Sequence, residues 1–172
     1  MTITSSPPIR VMLVDDHPMV RRGLATILTV FDDLKLVGEA EDGEAAIKLC
    51  AELLPDVILM DMFLPGMDGA AATLAIRQQC PQTQILALTS FKEGKVIKHA
   101  LAAGAIGYLL KDVSADELVR AIRAAHTGRV TLSPAAAQAL VEESNLPPAP
   151  GQDLTERERE VLALMIEGLN NT

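Results

Sequence analysis

The chain has 172 residues, 49% of them hydrophobic and 22% charged, enough for one full core plus an extra segment. A net charge of −8 excludes a surface that grips nucleic acid by charge alone, and suits a bound cation. No uncharged stretch reaches the ~20 apolar residues of a membrane helix, and Met1 to Pro8 lacks an export pattern, so a cytoplasmic protein without a membrane partner is expected.

The first strand is predicted over 10–14. Val20, Leu24, Ile27 and Leu28 then recur at helical spacing within 17–30. A strand over 35–40 leads to a helix over 43–53, opened by Asp42-Gly43. The next pairs are a strand over 57–61 with a helix over 69–79, and a strand over 84–89 with a helix over 93–103. The last pair is a strand over 106–110 and a helix over 114–126, where Ser114 and Glu117 form a capping box. The strands are short, apolar and partly β-branched, as strands buried on both faces are. Their alternation with helices predicts a five-stranded parallel, doubly wound α/β sheet, in the order 2-1-3-4-5.

Ser133-Pro134 opens a further helix, predicted to run to about Val141. Glu142 to Gln152 is proline-rich and reads as linker. Thr155 and Glu158 make a second capping box before an apolar stripe of Val161, Leu162, Leu164 and Met165, and Gly168 suits the helix stop. The units are therefore a domain over 9–127, a helical extension over 128–142, a linker over 143–153 and the start of another helical domain over 154–172. Cys50 and Cys80 fall in helix-like segments and read as buried thiols. His17, His99 and His126 have no ligand-like spacing, so no zinc site is predicted.

Four strand candidates end on polar residues suited to phosphate chemistry. These are Asp15-Asp16, Asp61, Thr89 and Lys111. In a parallel sheet they share the edge where ligands bind. Any one of them alone is more simply a helix cap. Lys111 argues against that account, because lysine caps a following helix poorly and Ser114 already does so. Asp61 is the candidate nucleophile on phosphorus. Asp16 and Asp61, with Asp15 through water, suit Mg²⁺, while Lys111 and the Thr89 hydroxyl suit phosphoryl oxygens.

The motifs VDDHP at 14–18, LMDMFLPGMDG at 59–69, LTS at 88–90 and GYLLKD at 107–112 resemble those of response-regulator receiver domains of two-component signalling. The likeness covers residues 9 to about 127. It implies that Asp61 accepts phosphate from a histidine kinase, and that Asp15, Asp16 and Asp61 hold Mg²⁺ with the main-chain carbonyl of Phe63. It matches Thr89 and Lys111 to the family's hydroxyl and lysine, and Tyr108 to its switch aromatic. Without the family, Tyr108 reads equally well as a half-buried aromatic on an edge strand. Asp112 stands where receivers often carry proline, which resembles the subgroup with LuxR/NarL-type helix-turn-helix output. LTEREREVLALMIEGLNN at 154–171 resembles the opening helix of that output. The expected whole is a transcription factor of which this chain is a piece. It would dimerise on phosphorylation and touch DNA only through output helices beyond Thr172.

Phe63 and Phe91 each lie two residues past a site residue. They offer no hydrogen bond to an attacking water, so slow self-dephosphorylation is predicted. Two rivals differ in kind. A phosphatase of the haloacid dehalogenase type also uses an aspartyl phosphate, but wants an acid at the position of Phe63. A bare interaction module would take no phosphate at all.

Overall fold

A computed structural model describes residues 6–145. Within each central strand, successive side chains enter different cores, which explains why the runs are apolar throughout rather than alternating. The strands are β1 (Ile9–Val14), β2 (Leu34–Ala40), β3 (Val57–Asp61), β4 (Gln84–Thr89), β5 (Gly107–Leu110) and β6 (Thr131–Leu132). The helices are α1 (Pro18–Thr29), α2 (Gly43–Leu53), α3 (Gly69–Gln79), α4 (Gly94–Ala102), α5 (Ala115–His126) and α6 (Pro134–Asn145). Met12, Ile58, Met60, Ile85 and Tyr108 belong to one core, shared with α2, α3, α4 and α6. Val11, Leu13, Leu59, Leu86 and Leu109 belong to the other, shared with α1 and α5.

All strand pairings are parallel, in the order β2-β1-β3-β4-β5-β6. The five expected strands and their order are present. The sixth strand is a correction. It pairs Gly107 with Thr131 and Tyr108 with Leu132. Two residues are too few to leave a periodic signal. β5 is consequently not an edge strand, and Tyr108 is fully buried rather than half-buried.

Local signals place the helix starts. Asp42 accepts from the Ala45 N–H at 2.8 Å, Asp68 from Ala71 at 2.7 Å and Ser114 from Glu117 at 3.2 Å. Ser133 caps α6, accepting from Ala136 at 3.2 Å, with Pro134 at the first helical position. This helix passes the expected stop at Val141 and continues to Asn145, the last described residue, so Glu142 to Asn145 are helical rather than linker. The second capping box and its stripe, from Thr155 onward, lie outside the described residues. Cys50 and Cys80 are buried free thiols. Among the described residues no helix is long and apolar enough to cross a membrane.

The chain runs from β1 outward to β2, then crosses back over β1 to β3. That reversal opens a crevice at the carboxyl ends of β1 and β3.

Candidate functional site

Asp15 and Asp16 follow β1 and Asp61 ends β3, so the reversal sets these carboxylates side by side. Asp15 and Asp61 are only 2% and 3% exposed, which is rare for carboxylates without a partner. Their partner is Lys111, the residue after β5. Its Nζ lies 2.6 Å from Asp15 Oδ2 and 2.8 Å from Asp61 Oδ2. The loops hold the other oxygens. His17 N–H donates to Asp15 Oδ1 at 2.8 Å, and Phe63 N–H donates to Asp61 Oδ1 at 3.1 Å. The Gly69 N–H to Met62 carbonyl bond at 3.1 Å closes the turn after Asp61.

Burial raises the Asp61 carboxyl above its ordinary range, against the opposing pull of Lys111 and the Phe63 N–H. Burial works against the charge on Lys111 as well, yet contact with Asp15 and Asp61 overrules it and holds the amine above the usual lysine value. Two carboxylates thus share one ammonium, with Asp16 beside them. Asp15, Asp16, His17 and Asp61 each offer a ligand atom, all within 4.8 Å of one another. Oxygen donors in that excess of negative charge fit a hard divalent cation.

Thr89 ends β4 beside them and is fully buried. Its hydroxyl is engaged elsewhere, accepting from the Phe91 N–H at 3.3 Å. Tyr108 donates its hydroxyl to the Phe91 carbonyl at 3.1 Å. Burial pushes the Tyr108 phenol up to about 12, with the Thr89 hydroxyl opposing, so it remains a donor. The rings of Phe63 and Phe91 meet at 4.2 Å between centroids, tilted by 45°. They join the loops after β3 and β4. Next to them a groove of about 530 Å³ runs between Leu64, Pro65 and Val96.

The structure therefore gathers Asp15, Asp16, Asp61 and Lys111 into one cluster. It sets Thr89, Tyr108, Phe63 and Phe91 around its rim, with Thr89 turned toward Phe91. Two neighbours had no signal in the sequence. His17 Nδ1 lies 2.8 Å from Asp16 Oδ1, and the Arg21 guanidinium donates to the Asp15 carbonyl. Both contacts depend on how the chain turns from β1 into α1, which residue spacing does not reveal.

The response regulator receiver domain family matches residues 11–123. The chain belongs to that family. The chain is 44% identical over 166 residues to the transcriptional regulatory protein LiaR of Bacillus subtilis, covering 95% of this chain and 79% of that one. The response regulator protein VraR of Staphylococcus aureus is 40% identical over 166 residues, with 95% and 78% covered. Among solved structures, a LuxR-family response regulator from Aurantimonas sp. SI85-9A1 superposes with a TM-score of 0.76 at 40% identity, covering 80% of this chain and 98% of that one. The receiver is thus a two-component response regulator related to transcriptional regulators, a switch protein by family.

Proposed function

We propose that Asp61 accepts a phosphoryl group from the phosphohistidine of a histidine kinase. The supporting observation is the Lys111 ammonium bridging Asp15 and Asp61 at a buried strand edge. A carboxylate oxygen of Asp61 attacks phosphorus as the P–N bond breaks, its electron pair staying on the ring nitrogen, and the imidazole, already protonated on its other ring nitrogen, leaves neutral. Lys111 stabilises the phosphoryl oxygens, and the Thr89 hydroxyl turns from Phe91 to bond another. Asp15, Asp16, Asp61 and the Phe63 carbonyl would hold Mg²⁺, which supplies charge neutralisation between the carboxylate and the phosphoryl group.

Once Thr89 turns, its bond to Phe91 is lost and the Tyr108 to Phe91 contact shifts with it. Thr89, Tyr108 and α4 form the two-state element. Its altered surface favours a homodimer and, through a helix-turn-helix output beginning in residues 154–172, controls transcription in the cytoplasm. No independent substrate is turned over. Incubation with Mg²⁺ and acetyl phosphate should add one base-labile phosphoryl group at Asp61, seen by peptide mass. Asp61→Asn should add none, and an unmodified Asp61 in the parent rejects the reading.

Phe63 and Phe91 slow the loss of phosphate, because the paired rings put no hydrogen-bonding group where water must approach. Replacing them together, Phe63→Asn with Phe91→Glu, should speed dephosphorylation roughly tenfold. An unchanged rate in a phosphate-release assay removes this role.

A further inference from the structure

The turn that carries Asp15 and Asp16 is held from behind by a cation. β1 ends at Val14, and its ladder with β2 closes where the Asp15 N–H donates to the Ala40 carbonyl at 3.1 Å. The Asp15 carbonyl is taken instead by the Arg21 guanidinium. That oxygen belongs to the peptide joining the two acids. A peptide unit is planar, so fixing its oxygen sets the direction in which the chain enters Asp16. Asp15 has other holds on its carboxylate, since Lys111 Nζ lies 2.6 Å from Oδ2 and the His17 N–H donates to Oδ1 at 2.8 Å. Asp16 depends more on its backbone. Its side chain is 34% exposed and meets the exposed ring of His17.

Arg21 stands where a cation is costly. It is the fourth residue of α1, near the end where the helix dipole disfavours positive charge. Its side chain is mostly buried, and its other nitrogens face acids that follow from β2. Nε lies 3.4 Å from Glu39 Oε2, and Nη2 lies 3.9 Å from Glu41 Oε2. Pairs this long, with partners this exposed, add little stability. Their effect is to orient the guanidinium. A planar fork presents one edge to the Asp15 carbonyl and another to Glu39, whereas an ammonium is a point charge without fixed directions. Contacts therefore run from β2, through Arg21, to the peptide between the two acids. Mg²⁺ demands near-ideal octahedral geometry, so the direction of each carboxylate decides how well it serves as a ligand.

We propose that Arg21 is a positioning residue for the cation site. By holding the Asp15 carbonyl it aims the carboxylates of Asp15 and Asp16, and through Glu39 it fixes that aim to the end of β2. The proposal rests on Asp15 and Asp16 as cation ligands. Charge and geometry here predict opposite signs. Arg21 repels a cation, so removing its charge alone would tighten Mg²⁺ binding. Losing its hold on the peptide would weaken it. The test is calorimetric titration of the full chain with Mg²⁺ alone, below the melting temperature of each variant. Arg21→Met should weaken Mg²⁺ binding about tenfold. Arg21→Lys keeps the charge without the fork and should weaken it roughly threefold. Arg22→Met removes the same charge from the exposed neighbouring position and should bind Mg²⁺ no more weakly than the parent. A purely structural role would lower the melting temperature and leave the affinity of the folded chain alone. No Mg²⁺ binding by the parent overturns the cation site and the role of Arg21 with it. Binding by the parent with equal or tighter binding by Arg21→Met overturns the role of Arg21 alone, as does an equal loss in Arg22→Met. If Arg21→Met does not fold, parent affinity in Arg21→Lys overturns it instead.

Discussion

Two regions of this molecule bury polar side chains, at opposite ends of the same strands, and they settle the cost in opposite ways. At the amino ends, Thr83 donates to the Pro55 carbonyl at 2.8 Å and Cys50 Sγ lies 3.8 Å from the Thr83 hydroxyl. Burial and the neighbouring Cys80 thiol push Cys50 up to about 12, so this cluster stays uncharged. It is a neutral network that holds β3, β4 and α2 together. At the carboxyl ends, Asp15 and Asp61 share Lys111, and Asp16 lies against His17 beside them. That cluster is charged, unbalanced and held in place by its loops. The difference teaches where stability ends and reactivity begins: polar groups with settled partners hold a fold, and polar groups in excess await a ligand.

Breaking the charged cluster should have the largest effect. Lys111→Met leaves two buried carboxylates without their cation and should cost about 3 kcal/mol in urea unfolding. Added Mg²⁺ should return part of that loss by binding the folded state. Breaking the neutral cluster should cost less. Thr83→Val strands the Pro55 carbonyl and should cost about 2 kcal/mol, with no recovery by Mg²⁺ and no change in phosphoryl uptake. Recovery of both variants by Mg²⁺ would erase the distinction.

The smallest effect has the opposite sign. Burial holds the Asp61 carboxyl above its ordinary range, so the folded chain binds that proton more tightly than the unfolded chain. Stability from the protonated form is present in acid and lost as pH rises through the folded value. Asp61→Asn should therefore stabilise the protein by about 1 kcal/mol at neutral pH. The gain should shrink as pH falls through that value, as followed by thermal melts across pH.

The five long strands and their helices were legible because each carries its own period and punctuation. Their bounds shift by a residue at most between Ile9–Val14 and Gly107–Leu110. The strand-end residues were legible for a geometric reason, since a parallel sheet sends all its carboxyl ends to one edge. What failed was whatever depended on a distant neighbour. β6 exists because β5 offers it a partner, and Glu142 to Asn145 stay helical in a helix that packs on α4. Their own composition reads as linker. His17 was set aside for want of ligand spacing, yet it is next to Asp16 in space because Pro18 starts α1 at once. The pairing of Phe63 with Phe91 across two loops likewise needed the fold, although each ring's place near the site did not.

The sheet has two margins, and both are unsuited to recruiting another chain. On one side β6 offers two residues and stops against the cap and proline at Ser133-Pro134. On the other, β2 shifts register opposite Val11 and Met12 and shows Lys35 and Glu39 to solvent. Short length, proline, irregular pairing and edge charge all discourage strand-to-strand addition between molecules. A buried, β-rich sheet is thereby kept from templating aggregates, and any association between copies is left to the helical faces.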